Sequence, residues 1–392
     1  MKIHGFLKDV GGAGRVTARR QSLYQSASAE PQTRDPIGEL ARALHPGPLA
    51  LTVTDILDVS PTARKIRFAP KQGRLPVFQC GQYLSLELKI GQTVTTRPYS
   101  ICSAPYQARQ EDGFVEITVR NGKSDGFAAN WLYANTKTGD EFTASLPFGQ
   151  FYYEPLRDSR HIVGLAGGSG ITPFYSMAQE IAAGKLDAEL TILYGSVTST
   201  DIILKNELEA VACDKVHYVN VISGEKDYPG EKGFLTREVI SKYAGPDSTF
   251  FVCGPLPMYK LVARELAALN VPPRRIRMEV FGAPKDVSAA DGYPKEKLGE
   301  SYTITVVRGI QEDEIPARAS EPVAVALERA GIPIPTRCRS GACGYCHSRL
   351  LSGEIFVPAD GDGRRTADRE LGFFHACSSY PLSDLKIKIP IL

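Results

Sequence analysis

No run of this sequence approaches the ~18 consecutive apolar residues that a membrane-crossing helix requires, so no membrane span is expected. An excess of one charge is missing too: 46 basic residues face 44 acidic ones, for a formal net charge of +2. Nucleic-acid-binding domains concentrate basic charge, so a nucleic-acid partner is not expected. The first thirty residues lack the continuous apolar core of a secretory signal. They are basic (Lys2, Lys8, Arg15, Arg19, Arg20) and Ser-rich, a transit-peptide composition opposed by Asp9 and the Gly11-Gly12 pair. Internal repeats and low-complexity tracts are absent. These exclusions leave a cytoplasmic location as the expectation.

At 392 residues the chain exceeds the ~250 at which single cores stop growing, which predicts two or three domains. Its 43% apolar and 23% charged content is that of a globular protein. Residues 1–48 are polar and broken by glycine and proline, and read as an N-terminal extension. Within it, Asp35 and Pro36 predict the cap and first residue of a short helix. Residues 49–155 hold six short β-branched or alternating runs separated by turn signals, the pattern of an antiparallel barrel. Over 156–282 apolar strands alternate with helical segments, as in a doubly wound parallel α/β sheet. Residues 283–300 are rich in Pro, Gly, Ala and charge and read as a linker, and 301–392 form a last module.

Of eight cysteines, those at 80, 102, 213 and 253 are scattered, whereas Cys338, Cys343, Cys346 and Cys377 fall within forty residues. Scattered single cysteines suit reduced thiols, and the dense group suggests a metal site. A C-x4-C-x2-C run with a distant fourth cysteine is the plant-type 2Fe–2S spacing. Four thiolates are needed for two irons, and Gly341 and Gly344 leave room for backbone against inorganic sulfide. A zinc site is the alternative, but zinc usually takes paired CxxC units, which are missing here. His347 and His375 adjoin the group and read as bystanders that tune it.

Two further motifs point to nucleotide chemistry. Arg97-Pro98-Tyr99-Ser100 ends a barrel strand and combines a phosphate fork, a flat aromatic face and a hydroxyl. Gly167-Gly168-Ser169-Gly170-Ile171-Thr172-Pro173 follows a strand and opens a helix, a setting that admits a pyrophosphate to the helix N-terminus. Cys253-Gly254-Pro255 ends another strand of the same sheet, on the edge where ligands of open α/β sheets bind. The bland alternatives are an ordinary strand-to-helix turn and a small buried core cysteine.

Taken in order, RPYS, GGSGITP, CGP and CRSGACGYC resemble the ferredoxin–NADP reductase superfamily, in particular single-chain reductases arranged as flavin, nicotinamide and ferredoxin domains. The resemblance covers about residues 49–392. It implies a flavin barrel, a nicotinamide-binding α/β domain and an α+β ferredoxin module of β-grasp type. It assigns Arg97 to the flavin phosphate, Tyr99 to the ring, Ser100 to flavin N5, Gly167–Pro173 to the pyridine nucleotide and Cys253 to the nicotinamide. Cys338, Cys343, Cys346 and Cys377 become the cluster ligands. The family's GxxS stretch departs here to Gly126-Phe127-Ala128-Ala129, without the hydroxyl. Members carry FAD or FMN; PFGQF at 147–151 and Ser169 favour FAD. After ELTILYGS the stretch 197–201 offers no arginine and ends in Asp201, which favours NADH over NADPH.

The implied function is NAD(P)H oxidation with single electrons relayed through the cluster to an electron-accepting partner protein, such as an oxygenase. Alternatives are a reductase for small acceptors (free flavin, ferric chelates, quinones), and a non-catalytic redox or nicotinamide sensor docked through residues 1–48.

Overall fold

The computed structural model describes residues 6–27, 35–44, 47–122, 126–283 and 286–390. The chain divides into two compact units, 1–47 and 48–392. The first contains helices Phe6–Gln25 and Pro36–Leu44. Asp35 caps the second as expected, its carboxylate accepting the Gly38 N–H at 2.8 Å. The first was not expected, because Gly11, Gly12 and Gly14 weigh against a helix. Good helix formers follow them, and the Thr17 hydroxyl donates back to the Ala13 carbonyl at 2.9 Å.

The second unit opens with strands β1 (Leu49–Ser60), β2 (Ala63–Pro70), β3 (Tyr83–Ile90), β4 (Thr93–Ser100), β5 (Val115–Arg120) and β6 (Glu141–Ala144). They pair antiparallel in the order β4-β3-β6-β1-β2-β5. The two ends meet where Ile101 bridges Ile117 and the Cys102 N–H donates to the Glu116 carbonyl at 2.8 Å, which closes the barrel. Period-two residues fill it: Ile66 and Phe68, Leu84, Leu86 and Leu88, and Val115, Ile117 and Val119.

Strands β7 (His161–Gly167), β8 (Glu189–Ser196), β9 (Val216–Ile222), β10 (Glu231–Lys232), β11 (Thr249–Cys253) and β12 (Ile276–Met278) form a parallel sheet ordered β10-β9-β8-β7-β11-β12. The strand order reverses between β7 and β11, the switch point at which such sheets bind ligands. The helix Thr172–Ala182 joins this sheet to the barrel: Ser176 donates to the Ser103 carbonyl (2.7 Å) and Gln179 to the Cys102 carbonyl (2.8 Å). Phe151 of the PFGQF segment inserts between Phe174 and Phe251 across the same boundary.

The C-terminal module has strands β13 (Ser301–Arg308), β14 (Gln311–Arg318), β15 (His347–Ser352), β16 (Ile355–Phe356), β17 (Phe373–His375), β18 (Tyr380–Pro381) and β19 (Leu385–Lys388). Its main sheet, β14-β13-β19-β15-β17, is mixed, with β13 and β19 parallel, and packs on the helix Val323–Arg329. That is a β-grasp arrangement. The segment read as a linker is fastened to this module: Val287 and Tyr293 are buried against Tyr380, and the Tyr293 hydroxyl donates to the Ala319 carbonyl at 3.1 Å. Among the described residues, no helix is long and apolar enough to cross a membrane.

Candidate active site

The glycine loop leaves β7 at the switch point. Gly168 has φ +54°, and its carbonyl accepts the Tyr194 hydroxyl at 2.8 Å. A β-carbon on Gly170 would lie 2.1 Å from the Cys253 carbonyl oxygen, and one on Gly167 or Gly254 would strike the Met258 sulfur. Glycine at these positions lets the GGSG and CGP loops lie against each other. Thr172 closes the turn by donating to the Ser169 carbonyl at 3.0 Å, and Pro173 sits in the first helical turn, where no N–H is needed. Beside the two loops opens a cavity of about 300 Å³, lined by Gly167, Gly168, Val197, Phe234, Pro255 and Met258 among others. A cradle that β-carbons would fill, at a helix start, fits a dinucleotide pyrophosphate.

Stretch 197–201 itself brings no arginine to this cavity, but the barrel does. Arg120, at the end of β5, lines the wall and pairs with Asp201 at 2.8 Å. Ser60 and Thr62 also donate to Asp201, at 2.7 and 2.8 Å. Burial raises the Asp201 pKa, but these donors outweigh it and hold the carboxylate below its ordinary range. Ser199, earlier in the stretch, is held by Glu225, which accepts from its N–H at 2.6 Å.

RPYS lies on β4, with Pro98 opposite Ser85 and Ser100 opposite Tyr83 on β3. Ser100 is buried, and burial pushes the Tyr99 hydroxyl pKa up, so it stays neutral. The Arg97 guanidinium donates to the Thr96 carbonyl at 2.9 Å and to the Thr95 hydroxyl. Gly126 caps the helix Phe127–Asn135 without a side-chain bond. Asn130 of this helix reaches back to Gly122: its amide accepts from the Gly122 N–H (2.8 Å) and donates to the Gly122 carbonyl (2.7 Å). The first N–H groups of a helix can receive an anion.

Cys253 is buried at the end of β11. Burial, and then Glu279, raise its pKa, so the group is a neutral thiol rather than a nucleophile. Glu279 was not singled out from the sequence. Burial, and then Cys338, push its carboxyl well above the ordinary range, and its Oε2 has no hydrogen-bond partner. A β-carbon on Gly149 would come within 3.0 Å of both Glu279 and Tyr83, and Tyr83 meets Phe281 edge-on at 5.1 Å. A carboxylate between apolar neighbours in MEVFG, just after an edge strand, was the available signal.

The four clustered cysteines converge in two pairs. The Cys343 N–H points at the Cys338 sulfur (3.4 Å) and the Cys377 N–H at the Cys346 sulfur (3.5 Å). Thiol contacts link Cys338 to Cys377 as well. Among the described residues, no three His, Cys, Asp or Glu side chains surround a single metal ion. Four cysteine thiols brought within reach of one another fit the four-cysteine ligand set of a 2Fe–2S cluster. Gly341 (φ +81°) and Gly344 (φ +71°) turn the loop, as their placement suggested. His375 is bonded to the Gly341 carbonyl, and His347 to Asp368 at 3.2 Å, so both histidines brace the loop.

Comparison with known proteins agrees with this layout. Residues 50–153 match the family described as oxidoreductase FAD-binding domain, 165–264 the oxidoreductase NAD-binding domain, and 308–382 the 2Fe-2S iron-sulfur cluster binding domain. The chain is 28% identical over 359 residues to the ferredoxin reductase component of 3-ketosteroid-9-alpha-monooxygenase from Mycobacterium tuberculosis (strain ATCC 25618 / H37Rv), covering 86% of this chain and 94% of that protein. It is 29% identical over 311 residues to NADH oxidoreductase HCR of Escherichia coli (strain K12), covering 79% and 88%. Phthalate dioxygenase reductase shares the fold, with a TM-score of 0.64 at 22% identity over 89% of this chain and 99% of that one. Carrying these three modules in this order, the chain belongs to the ferredoxin–NADP reductase superfamily, as an NADH-oxidising reductase that uses FAD and a C-terminal 2Fe–2S cluster.

Proposed function

We propose that the chain is the reductase component of a two-protein system and delivers electrons to an iron-dependent oxygenase. Its modules are residues 49–155 for flavin, 156–282 for nicotinamide and 301–392 for the cluster, joined by 283–300 and preceded by the extension 1–48. Relatives named as reductase components of monooxygenases support the choice of partner.

The observation that carries the internal route is the position of Glu279. The half-buried Glu279 carboxyl lies within electrostatic reach of both Cys253, at the nicotinamide end of β11, and Cys338, in the cluster loop, and a β-carbon on Gly149 at the end of the barrel would come within 3.0 Å of it. The Gly282 N–H also donates to the Cys338 carbonyl at 3.2 Å. Groups from all three proposed modules therefore approach Glu279. In this reading Arg97 holds the flavin phosphate and Tyr99 covers the ring. Ser100 and Cys253 flank the reacting edge, and Gly126 with its helix receives the flavin's pyrophosphate. Gly167, Gly168, Gly170, Thr172, Pro173, Gly254 and Pro255 receive NADH, and Cys338, Cys343, Cys346 and Cys377 hold the cluster. FAD, when bound, takes the two electrons of a hydride together and gives them up singly, as a one-electron iron acceptor requires. The protein's part is to align the three groups and keep water from the junction, where Phe281 packs edge-on against Tyr83 beside Glu279.

The test compares the protein with a Cys346→Ser variant, using cytochrome c as a one-electron protein acceptor and anaerobic bleaching of the flavin by NADH. Cytochrome c reduction is expected to collapse while bleaching of the flavin persists. Equal cytochrome c rates in the two proteins would refute the relay.

A further inference from the structure

Arg97 is drawn toward the ferredoxin module. Its guanidinium lies 3.8 Å from Glu328, on the helix Val323–Arg329, while Glu328 is engaged by Arg339 of the cluster loop in a two-pronged pair at 2.6 and 2.8 Å. Arg339 also donates to the Thr96 carbonyl on β4 at 3.2 Å, one residue from Arg97, and the Thr96 hydroxyl donates to the Thr336 carbonyl at 2.9 Å. Arg339 holds a left-handed backbone (φ +57°), rare for a non-glycine residue and kept only where the surroundings enforce it.

The charges do not balance. Two guanidinium groups share one carboxylate, and the side chains of Glu328 and Arg339 are only 4% and 8% exposed. Unpaired positive charge inside a protein is costly unless an anion completes it. Burial, and then the neighbouring Arg339, lower the Arg97 pKa to about 10, the mark of a cation short of a partner. Arg97 keeps 25% of its side chain exposed, so a ligand can still reach it.

We propose that Arg339 and Glu328 of the ferredoxin module are part of the flavin's phosphate site, forming with Arg97 one electrostatic unit that carries a single excess positive charge and is completed by the flavin phosphate. The inference rests on Arg97 being the flavin-phosphate arginine. Flavin retention and the seating of the ferredoxin module are then coupled: the phosphate relieves the repulsion between Arg97 and Arg339, and the seated module sets the charge that the phosphate meets. By linkage, whatever strengthens one strengthens the other.

The unit predicts opposite signs for two substitutions on the same module. Arg339→Gln leaves Glu328 to neutralise Arg97 and should weaken FAD binding about fivefold at low salt. Glu328→Gln leaves two uncompensated cations and should tighten FAD binding about as much. The double variant restores the single excess charge and should return to the starting affinity. FAD affinity is read from the fluorescence of FAD released on dilution, and riboflavin, which has no phosphate, is titrated into flavin-free protein as the control. Riboflavin affinity should stay constant in all three, and cluster absorption reports that the module is folded. If both single variants weaken FAD and riboflavin alike, or if the double variant binds FAD more weakly than either single variant, the residues are only structural and the inference is overturned. Arg97→Gln is measured alongside. If it leaves FAD affinity unchanged, the flavin-site reading itself fails; if it weakens FAD tenfold while the ferredoxin variants do nothing, the coupling alone fails.

Discussion

The carbonyl oxygen of Cys253 occupies the space that a β-carbon on Gly170 would need, with the two only 2.1 Å apart. The glycine loop after β7 and the CGP turn after β11 are thus fitted to each other as backbone, before any nucleotide arrives. Gly170→Ala forces them apart, at a cost of ~2–3 kcal/mol in stability. The apparent KM for NADH should rise more than tenfold, while FAD content stays normal. A steady-state titration with NADH checks this, and an unchanged KM would mean that the loop does not carry the nucleotide.

Asn130 ties the helix Phe127–Asn135 to Gly122 with two hydrogen bonds. Asn130→Ala removes both and should lower stability by ~1–2 kcal/mol. In the proposed reading the helix start receives the flavin's pyrophosphate, so FAD should also leave faster on dilution. Retention equal to that of the unaltered protein would place the pyrophosphate elsewhere.

The Asp201 carboxylate, held by Ser60, Thr62 and Arg120, has a folded-state pKa below its ordinary value. Such a group contributes stability above its unfolded pKa of about 3.9 and loses it as pH falls through the lower folded value. Asp201→Asn should therefore cost ~1–2 kcal/mol near pH 7, with allowance for the half-exposed Arg120, and the difference should shrink below pH ~4. Melting temperatures of the two proteins between pH 7 and pH ~2.5 read this out, with the gap closing below pH ~4. A gap that stays constant with pH would mean that the charge is not what Asp201 contributes.

Gly341 turns the cluster loop at φ +81°, and a β-carbon there would lie 2.1 Å from the Gly361 carbonyl. Gly341→Ala should cut iron content to less than half while leaving FAD in place. Full iron content would show that the loop closes in some other way.

Much of this was legible in the sequence because the signals are local. The cluster spacing lies largely within nine residues, and the glycine loop and RPYS each sit at the end of a strand whose alternation or apolar run is plain. What escaped notice is long-range. Glu279 gains its meaning from Cys253 and Cys338, and Glu328 and Arg339 from β4; Thr96 and Thr336, which meet directly, are 240 residues apart. No periodicity reports such pairings. The edge strands β10 and β12 have only two and three residues, too few to show a pattern. The helix Phe6–Gln25 was hidden by its glycines, and the apparent linker by composition, since Val287 and Tyr293 are isolated apolar residues in a polar stretch.

The central claim is that electrons pass from NADH through flavin to the cluster within one chain. An anaerobic NADH titration followed by visible absorption tests it most directly. Flavin bands near ~450 nm and the broader cluster absorption should both bleach, with the electrons taken up exceeding the two that FAD alone can hold. Bleaching of the flavin with the cluster absorption intact, in protein with full iron content, would contradict the account.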